Sequence, residues 1–161
     1  MEAVYVETSV IGYLTMRPSR DVVVAGHQQV TRQWWDTRSG KYLLCGSQLV
    51  VREAGAGDPQ AAKERLTVVD TLTLLAATPL ALKLARALVQ KHAIPNNAAD
   101  DALHIAIAAA YGIDYLLTWN CRHINNASTR AAIDAICKNE LETHKAPVNK
   151  APVICTPEEL L

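Results

Sequence analysis

Short apolar runs alternate along this chain with longer stretches of helical spacing. Residues 3–6 (AVYV) form a first run of strand length. Residues 42–45, 72–75 and 114–118 repeat the pattern, and PVIC supplies a last run near the carboxyl end. Helical patterning fills the intervals. Residues 10–14 begin one helix, and residues 21–38 carry helical spacing that ends in Trp34 and Trp35. Ser47 is a good N-cap for a helix holding Leu49, Val50 and Glu53, which Gly55 and Gly57 end. Asp58-Pro59 opens the next helix, in the order that suits an N-cap followed by proline, and Thr78-Pro79 opens one reaching about His92. Pro95-Asn96-Asn97 breaks the chain before an almost wholly apolar helix over residues 98–111, which Gly112 ends. Residues 124–139 read as a further helix and Thr156-Pro157 as the start of a terminal turn.

Strands separated by helices imply a parallel sheet covered on both faces. The expected fold class is therefore α/β, in one domain spanning residues 1–161, with no internal repeat. In such sheets ligands sit beyond the carboxyl ends of the strands.

Composition narrows the partners. Lys+Arg and Asp+Glu both total 16, so the chain has no net field to steer nucleic acid, and any such contact must use local patches. The four cysteines, at 45, 121, 137 and 155, lack the close spacing of a zinc site and make no disulfide framework, which points to a reducing compartment. An acidic second residue and no long apolar stretch argue against a signal peptide. The longest apolar run, residues 102–113, contains His104 and is too short to span a bilayer. A cytoplasmic protein with no membrane partner is expected.

Read outward from the strands, the chemistry-bearing residues fall at one rim. Glu7 follows the first strand and Asn120 the fourth; Glu53 lies about two turns in from Ser47, and Asp100 and Asp101 open the apolar helix. Converging carboxylates repel one another in a low-dielectric cleft unless a cation sits among them, and all-oxygen donors suit Mg²⁺ or Mn²⁺. Such a cluster favours metal-assisted attack of water on a phosphodiester.

Each residue also has a plainer reading. Glu7 can cap the following helix beside Thr8 and Ser9, and Glu53 can be a solvated helix face. Asp100 reads as structural, closing a capping box with Asn97. Asp101 has no such role, and an unpaired carboxylate on a buried helix is expensive. His104, on the same face as Asp101, reads as a hydrogen-bonded core histidine or a ligand. The stretch YLLTWNCRH brings Thr118 and Asn120 to the rim and leaves Arg122 and His123 just outside, where they can touch phosphate. Asn120 can alternatively make a turn hydrogen bond and cap the next helix. Trp119 reads as packing, with base stacking the alternative, and Cys121 as incidental.

The ordered set YVETS, Ser47-x5-Glu53, DALHIA from Asp101 and GIDYLLTWN from Gly112 to Asn120 resembles the PIN-domain family, and within it the VapC-like toxins of bacterial toxin–antitoxin pairs. The likeness covers nearly the whole chain. It implies a three-layer α/β/α sandwich around a parallel sheet and a Mg²⁺- or Mn²⁺-dependent endoribonuclease. The family's acids map onto Glu7, Glu53 and Asp101, with Asn120 at the fourth position. Thr118 matches the family's small hydroxyl, and Thr8 and Ser9 match the hydroxyls beside the first acid. The metal falls to Glu7, Glu53 and Asp101, and RNA contacts to Arg122 and His123. An RNA substrate, an antitoxin partner and a homodimer are further expectations of the resemblance.

Two positions depart from the family pattern. Glu7 stands where Asp is usual and Asn120 where Asp is frequent, changes that weaken metal binding. They motivate a second reading, a PIN-like module that binds nucleic acid or protein without catalysis. A phosphoacceptor receiver domain fits less well, because its paired N-terminal acids and strand-end Asp are missing.

Overall fold

The run AVYV becomes β1 (Ala3–Val6), and Val4, Tyr5 and Val6 are wholly buried, as an all-apolar strand in the middle of a covered sheet must be. The computed structural model describes residues 1–161. After β1 come α1 (Thr8–Thr15), α2 (Val22–Thr37), β2 (Leu43–Ser47), α3 (Gln48–Ala54), α4 (Pro59–Val69) and β3 (Thr73–Leu75). The second half follows with α5 (Pro79–Gln90), α6 (Ala99–Ala110), β4 (Tyr115–Leu117), α7 (Arg130–Thr143) and β5 (Val153–Cys155).

All strand pairings are parallel, in the order β3-β2-β1-β4-β5. Helices α1 to α4 pack among themselves and α5 to α7 among themselves, giving the expected α/β/α layers. The chain leaves β1 toward β2 on one side and returns to β4 on the other. The carboxyl ends of β1 and β4 therefore flank the crevice where the strand order reverses. There the Glu7 amide donates to the Leu117 carbonyl at 3.0 Å, and the Thr118 amide to the Cys155 carbonyl at 3.0 Å.

Local chemistry sets most element starts. Asp21, Ser47, Asp58 and Thr78 each accept from a backbone N–H two or three residues into their helices, and each such cap is worth about 1 kcal/mol. Thr156 and Glu159 close a reciprocal capping box at the terminal turn. Gly112 ends α6 at φ +63°, where a side chain is strained, and an added Cβ would lie 2.8 Å from Val148.

Two expectations are corrected. The helix expected over residues 124–139 begins only at Arg130 and runs to Thr143. The reason is Asn126, whose Oδ1 accepts from the Ser128 amide at 2.9 Å and the Ser128 hydroxyl at 2.7 Å, local bonds that compete with helix. The capping box expected between Asn97 and Asp100 does not form. The cap position is Ala98, with no side-chain cap bond, and exposed Asp100 pairs with Arg52 at 2.8 Å.

Candidate active site

Glu7 leaves β1 in extended conformation and caps α1, its Oε1 accepting from the Ser9 amide at 3.2 Å. Its Oε2 accepts from the Thr118 hydroxyl at 2.7 Å and also from the Ser9 hydroxyl. Ser9 Oγ in turn accepts from the Trp119 amide at 2.8 Å, which locks the β1 and β4 ends together. Glu7 is only 5% exposed, so its capping role and a site role coexist in one side chain.

Glu53 comes from α3, whose start is set by the Ser47 cap. Its Oε1 accepts from the Thr8 hydroxyl at 2.8 Å and pairs with His104 Nε2 at 2.6 Å. Burial pushes the Glu53 carboxyl upward. The hydrogen bond and charge of His104, the Thr8 hydroxyl and the Arg52 charge outweigh that effect and hold it below its ordinary value. One ligand atom each from Glu7, Glu53 and His104 lies within 4.8 Å of the others.

Asp101 stands at the start of α6, half-buried, with no Lys or Arg paired to it. Burial pushes its pKa above the ordinary value, and the nearby Glu53 charge adds to the shift. The Asn120 side-chain hydrogen bond and the His104 and His123 charges offset it only in part. Asn120 Oδ1 accepts from the His123 amide at 3.0 Å, and the Asn120 backbone amide donates to Thr118 Oγ1 at 2.9 Å, so the turn hydrogen bond of its plainer reading forms.

His123 is half-buried, and with Asn96, Asn97 and Asp101 it lines a recess of about 310 Å³, whereas Arg122 is exposed. Trp119 donates from Nε1 to Thr31 at 2.8 Å and stacks on His27, with ring centroids 4.0 Å apart. The packing reading of Trp119 therefore has a specific partner.

The donor set suits a hard divalent cation. Glu53 Oε2 makes no protein hydrogen bond, Glu7 Oε1 keeps a lone pair free of its Ser9 contact, and the Asp101 charge is uncompensated by any strong base. His104 belongs to the same cluster, but its Nε2 is committed to Glu53.

The sequence did not disclose the layer behind the acids. Tyr5 Oη lies 2.8 Å from His104 Nδ1 and 2.7 Å from Ser47 Oγ, and all three residues are buried. The available signal was periodicity: Tyr5 is two residues before Glu7 along extended backbone, and His104 is one helical turn past Asp101.

No family model matches the sequence, and no curated protein matches it either. Solved structures do resemble it. VapBC2 from Rickettsia felis, bound to a DNA fragment from its promoter, superimposes with a TM-score of 0.57 at 15% identity, over 96% of this chain and 98% of that one. VapC20 of Mycobacterium tuberculosis, described as a sarcin-ricin loop cleaving toxin, superimposes with a TM-score of 0.57 at 16% identity, over 81% of this chain and 95% of that one. The strand order, the layers and these superpositions agree: the chain has the PIN-domain fold of the VapC proteins.

Proposed function

We propose that the protein is a divalent-metal-dependent endoribonuclease, the toxin of a toxin–antitoxin pair. The observation that carries this reading is the convergence of Glu7 and Glu53, with His104, at the strand-order reversal, while Asp101, half-buried at the start of α6, stands outside that tight group. Glu7, Glu53 and Asp101 hold Mg²⁺ or Mn²⁺, and Thr8, Ser9 and Thr118 fix the carboxylates through hydroxyl donors. Asn120 orients the ion from the fourth position. Arg122 and His123 lie where a phosphate backbone can approach. A cation held there supplies positive charge for the transition state at phosphorus and favours deprotonation of the attacking water.

The likeness to a VapBC pair and to an RNA-cleaving VapC supports both an RNA substrate and an inhibitory antitoxin. A homodimer in the cytoplasm belongs to the same reading, and no helix is long and apolar enough to cross a membrane. The test is RNA cleavage in Mg²⁺ or Mn²⁺ by the wild type and by Asp101→Asn. A loss of roughly 10²-fold or more in the variant is expected, on the scale of removing one preorganised electrostatic group. Equal rates would remove the proposed site.

A second reading, a PIN-like module that binds without catalysing, is favoured by Glu7, whose carboxylate already accepts three protein hydrogen bonds. It requires that millimolar Mn²⁺ leave the wild-type melting temperature unchanged.

A further inference from the structure

Behind the acidic rim lies a continuous buried hydrogen-bond chain that the cleavage chemistry does not itself require. It runs from the Val50 amide to Ser47 Oγ (3.4 Å), to Tyr5 Oη (2.7 Å), to His104 Nδ1 (2.8 Å), and from His104 Nε2 to Glu53 Oε1 (2.6 Å). Tyr5, Ser47 and His104 are each wholly buried, and the Tyr5 ring meets the imidazole edge-on with centroids 5.7 Å apart.

An ionised Glu53 only accepts, so His104 carries a proton on Nε2. Its Nδ1 is bonded to the Tyr5 hydroxyl, which is bonded in turn to Ser47 Oγ, the acceptor of the Val50 amide. Every member has a partner, which gives such a network rigidity.

The members come from the three elements that carry the acids. Tyr5 sits two residues before Glu7, Ser47 caps the helix that bears Glu53, and His104 lies three residues after Asp101. Without partners the Glu53 side chain is flexible and loses rotamer freedom when ordered. With Oε1 held by His104 and Thr8, the carboxylate is already ordered and Oε2 is the oxygen left without a protein partner. His104 Nε2 is 3.9 Å from Glu7 Oε1, beyond a hydrogen bond, so the imidazole serves Glu53 alone.

We propose that His104, aligned by Tyr5 and Ser47, is the positioning residue that presents Glu53 Oε2 to the divalent cation. This rests on the nuclease reading of the same site. It differs from a core histidine that merely packs, because only a positioning role ties the imidazole N–H to cation affinity.

The experiment measures the Mn²⁺ dissociation constant, from the resonance signal of free Mn²⁺, for wild type, His104→Ala, His104→Gln and Tyr5→Phe, each checked for a cooperative melt. Loss of an outer-sphere partner weakens metal binding by about 10–100-fold, and that is the change expected for His104→Ala. His104→Gln keeps an N–H near the Nε2 position and restores most of the loss, and Tyr5→Phe, which deletes a single hydroxyl, weakens binding by a smaller factor. A folded His104→Ala with wild-type affinity overturns the proposal, as does a Gln variant no better than Ala. Should the Ala variant fail to fold, Tyr5→Phe decides: weakened binding supports the proposal and unchanged binding overturns it. If the wild type itself binds no Mn²⁺, the nuclease reading falls and takes this proposal with it. Wild-type binding with unaffected variants sinks this proposal alone.

Discussion

Two aspartates at opposite ends of the sheet show how similar carboxylates come to different ends. Asp114 lies at the amino end of β4, where it accepts from the Ala3 amide at 2.8 Å and pairs with Lys150. The Lys150 hydrogen bond, then that amide, hold its carboxyl below the ordinary value. Asp101 lies at the opposite, carboxyl-end rim, near Glu53, and no Lys or Arg answers it. Burial pushes its carboxyl up. Asp114 ties β1, β4 and the chain before β5 together, and its charge is already used. The Asp101 charge costs folding energy unless a cation is supplied, which is how a site differs from a brace.

Metal should separate the two most strongly. Millimolar Mn²⁺ is expected to raise the melting temperature of the wild type and of Asp114→Asn by several degrees and to leave Asp101→Asn almost unmoved. The basis is that binding at 100 times the dissociation constant adds about 2.7 kcal/mol. Differential scanning fluorimetry with and without a chelator reads this, and equal shifts in all three would erase the contrast.

Without metal, pH should act on the two with opposite sign. Asp114 has a depressed folded pKa, so its stabilisation is complete above the ordinary carboxyl value and is lost as pH falls through the folded one. Asp114→Asn is therefore expected to melt slightly lower near neutrality, since solvent screens an exposed ion pair, with the deficit closing in acid. Asp101 has a raised folded pKa, so its penalty is absent below the ordinary value and grows as pH rises through the raised one. Asp101→Asn is expected to match wild type in acid and to melt higher at neutral pH. Melting curves across pH 3–8 would reveal parallel behaviour if the contrast is wrong.

The smallest effect is expected outside the rim. Arg122→Ala should weaken RNA binding uniformly across sequences and reduce the slope of log affinity against log salt by about one, as loss of a single phosphate contact does. An unchanged slope in a salt titration would remove Arg122 from the RNA path.

How much of this was legible varies by element. β1 was readable to the residue, because a central parallel strand must be apolar on both faces and AVYV can be little else. The caps at Ser47 and Asp58 announced their helices because capping needs only neighbours in sequence. The helix pattern over residues 124–139 overran its true start because Asn126 spends its side-chain oxygen on Ser128, and propensity does not say which bonds win. Asp100 was assigned a cap because its spacing allowed one, while its partner in the fold is Arg52, 48 residues away.

The same boundary runs through the site. Residue type and position along the chain determined that Glu7, Glu53, Asp101 and Asn120 would stand near strand ends or in the first turns of flanking helices, since those facts follow from periodicity and capping. Only the tertiary structure decided that His104 would stand behind Glu53 and that Tyr5 and Ser47 would order it. Those partners lie 42 to 99 residues apart. Contacts of that range depend on how the sheet closes, and no local propensity encodes them.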